Sequence, residues 1–128
     1  MNYSYEAAGG SLLFRISGDL TMFNVSRLVE GITRAWGENS ARQVVLYGDD
    51  VSLIDSAAFG MLIKAHAGLL EDGGRICFIG LRPHILSALQ QLHLDETLRV
   101  YDSLAEASED SLPLRPLNGG RGQRAIEL

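Results

Sequence analysis

Asp55 and Ser56 are the residues of this chain whose types and placement suggest chemistry. Before them lie a strand-like run, Gln43 to Tyr47, and a polar turn at Gly48-Asp49-Asp50. After them an apolar, helix-patterned segment reaches Leu70 and closes at Asp72-Gly73-Gly74. A carboxylate and a hydroxyl at such a junction have two physical uses. Their oxygens accept hydrogen bonds from first-turn amides that have no partner inside the helix, so Asp55 or Ser56 can be a cap and nothing more. The free amides and the positive end of the macrodipole also favour an anion, so the same point suits a phosphate.

A catalytic serine needs an activating base and usually a strained elbow such as G-x-S-x-G. The neighbours of Ser56 are Ile54, Asp55, Ala57 and Ala58, and the elbow is missing. Neither a G-x-x-x-x-G-K-[ST] phosphate loop nor a G-x-G-x-x-G fingerprint occurs. His84 and His93 show no ligand spacing to His66 or Cys77, so no metal site is read. These absences argue against an enzyme and against a bound cofactor.

The elements that position Asp55 and Ser56 follow from periodicity. Tyr3 to Ala7 and Ser11 to Ser17, joined by Gly9-Gly10, read as a hairpin that ends at Gly18-Asp19. A helix starts near Asn24, carries Val25, Leu28, Val29, Ile32 and Trp36 on one stripe, and stops at Gly37. Val44-Val45-Leu46 and the run from Arg75 to Ile79 have the continuous apolar character of strands covered on both faces. The segment between them, Ser56 to about Leu70, is long enough for a helical crossover. Arg82-Pro83 opens another helix with the stripe Ile85, Leu86, Leu89 and Leu92. Thr97 to Tyr101 is a short strand, and Asp102 or Ser103 caps a last helix through Leu104, Ala105 and Ala107. The order β-β-α-β-α-β-α-β-α predicts an α/β fold, a mixed sheet with about four helices gathered on one face.

On a helical wheel the central helix buries Phe59, Leu62, Ile63, His66, Leu69 and Leu70. Ala57, Met61, Lys64, Gly68 and Glu71 take the opposite side. His66, near the middle of the apolar stripe, is read as a histidine satisfied by a backbone group. Met61 stands out on a face that should be wet. A flexible thioether one turn beyond Ser56 suits a contact surface, although isolated surface methionines need no explanation.

The 128 residues and their 46 % apolar content fit one compact domain with a real core. A net charge of −5 and a pI near 5.1 argue against general affinity for nucleic acid or anionic lipid. Cys77, the single cysteine, sits in the apolar run Ile76-Cys77-Phe78-Ile79 and reads as a buried, inert thiol. The N-terminus lacks the pattern of a secretory signal, and no apolar run approaches membrane-spanning length. The expectation is a soluble, cytoplasmic domain. From Glu109 onward Pro113, Pro116, Gly119, Gly120 and Gly122 accumulate, so residues 109–128 are expected to form a flexible tail beyond a domain of residues 1–108.

Leu53-Ile54-Asp55-Ser56-Ala57-Ala58-Phe59-Gly60 resembles the D-S-[ST]-G-L-G signature of the STAS family, most closely its bacterial anti-sigma-factor antagonists. The resemblance covers about Tyr3 to Ser108. It includes Gly18-Asp19-Leu20, Val44-Val45-Leu46, Gly73-Gly74-Arg75-Ile76, and the Pro83 helix followed by Leu92-His93-Leu94. Ala57 stands where a second hydroxyl is usual, leaving Ser56 as the only hydroxyl of the signature. Ala58 replaces the usual glycine, placing a methyl close to the acceptor, and Phe59 the usual leucine. Thr21 occupies a position where many antagonists carry an acid.

The resemblance implies phosphorylation of Ser56 and a partner-switching cycle. The implied partners are an anti-sigma factor or serine kinase of the histidine-kinase-like ATPase type and a metal-dependent serine phosphatase. Only the dephosphorylated form then captures its partner and frees that protein's other target. The implied contact surface is Asp55, Ser56, Ala57, Gly60, Met61 and Lys64. The alternative is a constitutive structural STAS subunit, for example of a membrane lipid-transport complex, using the same surface without a switch.

Overall fold

The computed structural model describes residues 1–110. Its elements are β1 (Asn2–Ala8), β2 (Ser11–Leu20), α1 (Val25–Glu38), β3 (Gln43–Ile54), α2 (Ser56–Glu71), β4 (Ile76–Leu81), α3 (Pro83–Gln91), β5 (Val100–Tyr101) and α4 (Leu104–Glu109). The strands form one sheet in the order β1-β2-β3-β4-β5. β1 runs antiparallel to β2 and every other pair is parallel, so the sheet is mixed, as expected. Among the described residues no helix is long and apolar enough to cross a membrane.

Two turns read from the sequence are absorbed into strands. β2 continues through Gly18-Asp19 to Leu20, and β3 continues through Gly48-Asp49-Asp50 to Ile54. The register shifts at both places, between Gly18 and Asp19 and between Tyr47 and Gly48. Glycine inside a strand marks such a bulge. At Gly48 the reason is close approach, because a Cβ there would collide with the Gly80 carbonyl. Gly37 does not stop α1, which runs on to Glu38, where Asn39 Nδ2 donates to the Ala35 carbonyl at 2.8 Å. The strand expected over Thr97 to Tyr101 shrinks to Val100–Tyr101.

Alternation along the strands divides the core. Leu12, Phe14, Ile16, Val44, Leu46, Ile76 and Phe78 face α1, α2 and α3, meeting Leu28, Ile32, Phe59, Leu62, Leu69, Ile85 and Leu89. Leu13, Val45, Cys77, Ile79 and Tyr101 point to the other face and pack with Ala107 of α4. The expectation that all helices gather on one face is therefore corrected. α4 crosses to the second face because Val45 and Cys77, both fully buried, need a cover there. Of the tail expected over residues 109–128, Glu109 closes α4 and Asp110 is its C-cap, while residues 111–128 lie outside the described residues.

Candidate functional site

Asp55 leaves β3 in an extended conformation (φ −83°, ψ 170°) and is the N-cap of α2. Its Oδ1 accepts the Ala58 N–H at 2.8 Å, satisfying a first-turn amide. Its Oδ2 accepts the Met22 N–H at 3.0 Å, reaching the turn between β2 and α1. Its own amide donates to the Leu20 carbonyl at 3.1 Å. One residue thus caps the helix and ties two loops together. Ser56, the first helical residue, is exposed, and among the described residues no partner is found for its hydroxyl. The choice between Asp55 and Ser56 as cap is resolved in favour of Asp55.

Around Ser56 the surface is small and open. Ala57, Gly60 and Lys64 are exposed, and a Cβ built on Gly60 would meet nothing within 4 Å. Met61 departs from its place on a wet face: it is half-buried and packs against the main core. The Ala58 methyl does not crowd the serine either. Ala58 is fully buried in the main core, so its side chain points away from an approaching protein. Leu70, placed on the apolar stripe by the wheel, is 53 % exposed, because the helix ends beside it. There Gly74 donates to Leu69 at 2.8 Å and Gly73 to Leu70 at 3.1 Å, a Schellman close that uses the positive φ of Gly73 (83°).

Sequence reasoning missed the neighbour of this surface. Met22 and Phe23, at the tip of the β2–α1 turn, are 61 % and 88 % exposed. The turn is fastened from several sides. Thr21 N–H donates to Asn24 Oδ1 at 2.9 Å, Met22 N–H to Asp55, and Phe23 N–H to Thr21 Oγ1 at 3.2 Å. Asn24 Nδ2 donates to the Asp19 carbonyl at 2.9 Å. Asn24 is the N-cap of α1 as expected, yet its side chain makes no cap bond and reaches backward instead. Two large apolar side chains therefore project from a stiff knuckle tied directly to Asp55. The available signal was that Met22 and Phe23 fall outside both the β2 alternation and the α1 stripe.

The buried titratable groups on α2 and β4, His66 and Cys77, are structural. His66 is buried, and its Nδ1 accepts the Ile76 N–H at 2.9 Å, matching the expectation of a backbone-satisfied histidine. Burial, and then the nearby Arg75 guanidinium, hold its pKa below the ordinary histidine value. Burial pushes the Cys77 thiol up to about 11, so it stays protonated and inert at neutral pH. Among the described residues no group of three or more His, Cys, Asp or Glu is arranged to hold a metal ion. The site offers a hydroxyl without a partner among the described residues, an ordered carboxylate and an exposed apolar knuckle. That inventory suits recognition and modification.

A family model described as STAS domain matches residues 2–107. Among solved structures, the anti-sigma factor antagonist SpoIIAA in its unphosphorylated form is 17 % identical with a TM-score of 0.70, over 84 % of this chain and 94 % of that one. A putative anti-sigma factor antagonist from Thermotoga maritima is 20 % identical with a TM-score of 0.73, over 85 % and 93 %. A sulfate transporter family protein from Wolinella succinogenes is 20 % identical with a TM-score of 0.66, over 80 % and 84 %. At such identities these likenesses speak for the fold, while the family match spans nearly all of the described residues. The chain belongs to the STAS domain family.

Proposed function

We propose that this protein is a phosphorylation-controlled binding module acting at Ser56, in the manner of an anti-sigma-factor antagonist. The observation that carries the reading is the division of labour at the start of α2. Asp55 supplies the cap, which leaves the Ser56 hydroxyl exposed and without a partner among the described residues, open to transfer of a phosphoryl group. A kinase of the histidine-kinase-like ATPase type, or an anti-sigma factor with that activity, modifies Ser56, and a metal-dependent serine phosphatase restores it. The protein contributes the acceptor and the surface, and performs no catalysis itself.

The proposed contact surface is Asp55, Ser56, Ala57, Gly60, Met61 and Lys64, extended by the Met22-Phe23 knuckle. Phosphate at Ser56 adds about −1.5 to −2 charges at pH 7 beside the Asp55 carboxylate. Inside an interface those charges are desolvated without a partner placed for them, a penalty of a few kcal/mol. Each 1.4 kcal/mol is tenfold in affinity, so modification weakens binding about a hundredfold or more. The fold tolerates the group, since the phosphate sits on an exposed first-turn residue where the helix dipole favours an anion.

The test is intact mass spectrometry of the protein isolated from its native cells, followed by calorimetry with the partner that copurifies. One added phosphate localised to Ser56, and a Ser56→Asp variant that binds at least a hundredfold more weakly than wild type, support the switch. The likeness to the sulfate transporter family protein favours a second reading, a fixed subunit using the same surface. An unmodified Ser56 together with unchanged binding of Ser56→Asp selects that reading.

A further inference from the structure

We propose that α4 is a latch, held on the second face of the sheet by the buried Arg75 side chain, and that it opens as a unit while the rest of the domain stays folded. α4 has six residues, far below the roughly 12–15 at which an isolated helix becomes even marginally stable. Of these only Ala107 is fully buried, with Leu104 half-buried beside it. Yet beneath it lie Leu13, Val45, Cys77 and Ile79, each no more than 6 % exposed. So small an apolar contribution from the helix leaves polar contacts as the main fastening.

Those contacts converge on Arg75, which is 9 % exposed. Its Nη2 donates to the Ala107 carbonyl at 2.7 Å and its Nη1 to Tyr101 Oη at 2.8 Å. Nε and Nη2 both donate to Gln43 Oε1, at 3.1 and 2.9 Å, and Gln43 Nε2 donates to Ser11 Oγ at 3.0 Å. Tyr101 in turn donates its hydroxyl hydrogen to Asp110 Oδ2, just past the end of α4. The chain of bonds runs from β2 through β3 to Arg75, just before β4, and on to β5 and the helix.

Two features make this fastening releasable. First, among the described residues no carboxylate pairs directly with the Arg75 guanidinium, and its link to Asp110 runs through the Tyr101 hydroxyl. Lifting α4 returns that charge to water, which offsets part of what the lost hydrogen bonds supplied. Second, β5, the strand beside α4, is only two residues long, and it joins the sheet through β4 alone. The helices on the other face do not share the second apolar cluster. Opening α4 therefore leaves the main core intact and uncovers a patch centred on Val45 and Cys77. Sub-global opening of a short element with little buried apolar area is the kind of motion that hydrogen exchange finds in many domains.

Cys77 is the chain's only cysteine and reports the event directly. The full chain is mixed with 5,5′-dithiobis(2-nitrobenzoic acid) over a series of low urea concentrations, and the labelling rate is compared with the global unfolding curve. The expected result is labelling whose urea slope is much smaller than that of global unfolding, because little surface is exposed by the opening. Tyr101→Phe and Asp110→Ala each remove hydrogen bonds of the fastening, and should speed labelling about tenfold with the small slope retained. Asp110 is exposed, so the second variant serves where Tyr101→Phe fails to fold. Labelling that follows the global curve with its full slope, or that neither substitution accelerates, overturns the latch.

Discussion

Removing the Asp55 carboxylate and removing the Ser56 hydroxyl should have sharply different consequences, although the residues are neighbours. Asp55→Ala deletes the acceptor of the Ala58 amide and the acceptor of the Met22 amide. Loss of an N-cap costs about 0.5–2 kcal/mol. The second bond, to a carboxylate but at the surface, adds about 1 kcal/mol. The sum is about 1.5–3 kcal/mol, and at this chain length each kcal/mol moves the melting temperature by about 3–5 °C. A drop of about 4–15 °C is therefore expected in a calorimetric or circular dichroism melt. Ser56→Ala removes a hydroxyl without a partner among the described residues, and should stay within about 0.5 kcal/mol of wild type. Asp55→Asn keeps one carbonyl oxygen for one of the two amides and should fall between them. Equal destabilisation by Asp55→Ala and Ser56→Ala would mean that the serine is the cap, and the argument for a free phosphoryl acceptor would fail with it.

Three further outcomes are expected. Phe23→Ser should leave the melt unchanged, since the ring is 88 % exposed, but should weaken partner binding about thirtyfold if the knuckle is an anchor of the size typical of interface hot spots; unchanged affinity in calorimetry removes the knuckle from the interface. His66 binds its proton less readily folded than unfolded, so the unfolded state takes up more protons as pH falls below about 6.5. Its contribution to stability is complete above that pH and is lost on going down through the lowered folded value; in urea melts the fall should be reduced in His66→Gln, and an identical pH profile counts against it. A chain ending at Asp110 should melt like the whole protein, because residues 111–128 are rich in Pro and Gly, whereas one ending at Ser108 loses the acceptor of Tyr101 and should melt a few degrees lower; equal melts for the two truncations discount the role of Asp110.

Much of the fold was legible because its signals are local and repeated. The continuous runs Val44-Val45-Leu46 and Ile76-Cys77-Phe78-Ile79 announce strands covered on both faces, and both lie at the centre of the sheet. The same runs already imply a cover for the second face, which is why placing every helix on one side conflicted with them. What periodicity does not carry is geometry set by distant approach. Gly48 reads as a turn residue, and only its contact with the Gly80 carbonyl makes it a bulge inside a strand. Arg75 reads as a polar residue opening a strand, and nothing beside it in sequence reveals Gln43, Tyr101 and Ala107 as its partners.

The site was half legible for the same reason. Asp55-Ser56 can be found from local chemistry, because loop-to-helix junctions choose from few residue types. The assignment of roles depended on Met22, thirty-three positions away, whose amide holds the second carboxylate oxygen. With that bond in place Asp55 is committed twice, to α2 and to the turn, and the Ser56 hydroxyl has no partner among the described residues. The same bond places the exposed Phe23 knuckle against the start of α2, so a partner that closes over one meets the other. Under the proposed function, a phosphate on Ser56 enters a surface whose apolar half cannot compensate it. Under the proposed function the switch therefore needs no rearrangement of the domain, only the addition of charge at the edge of an apolar contact.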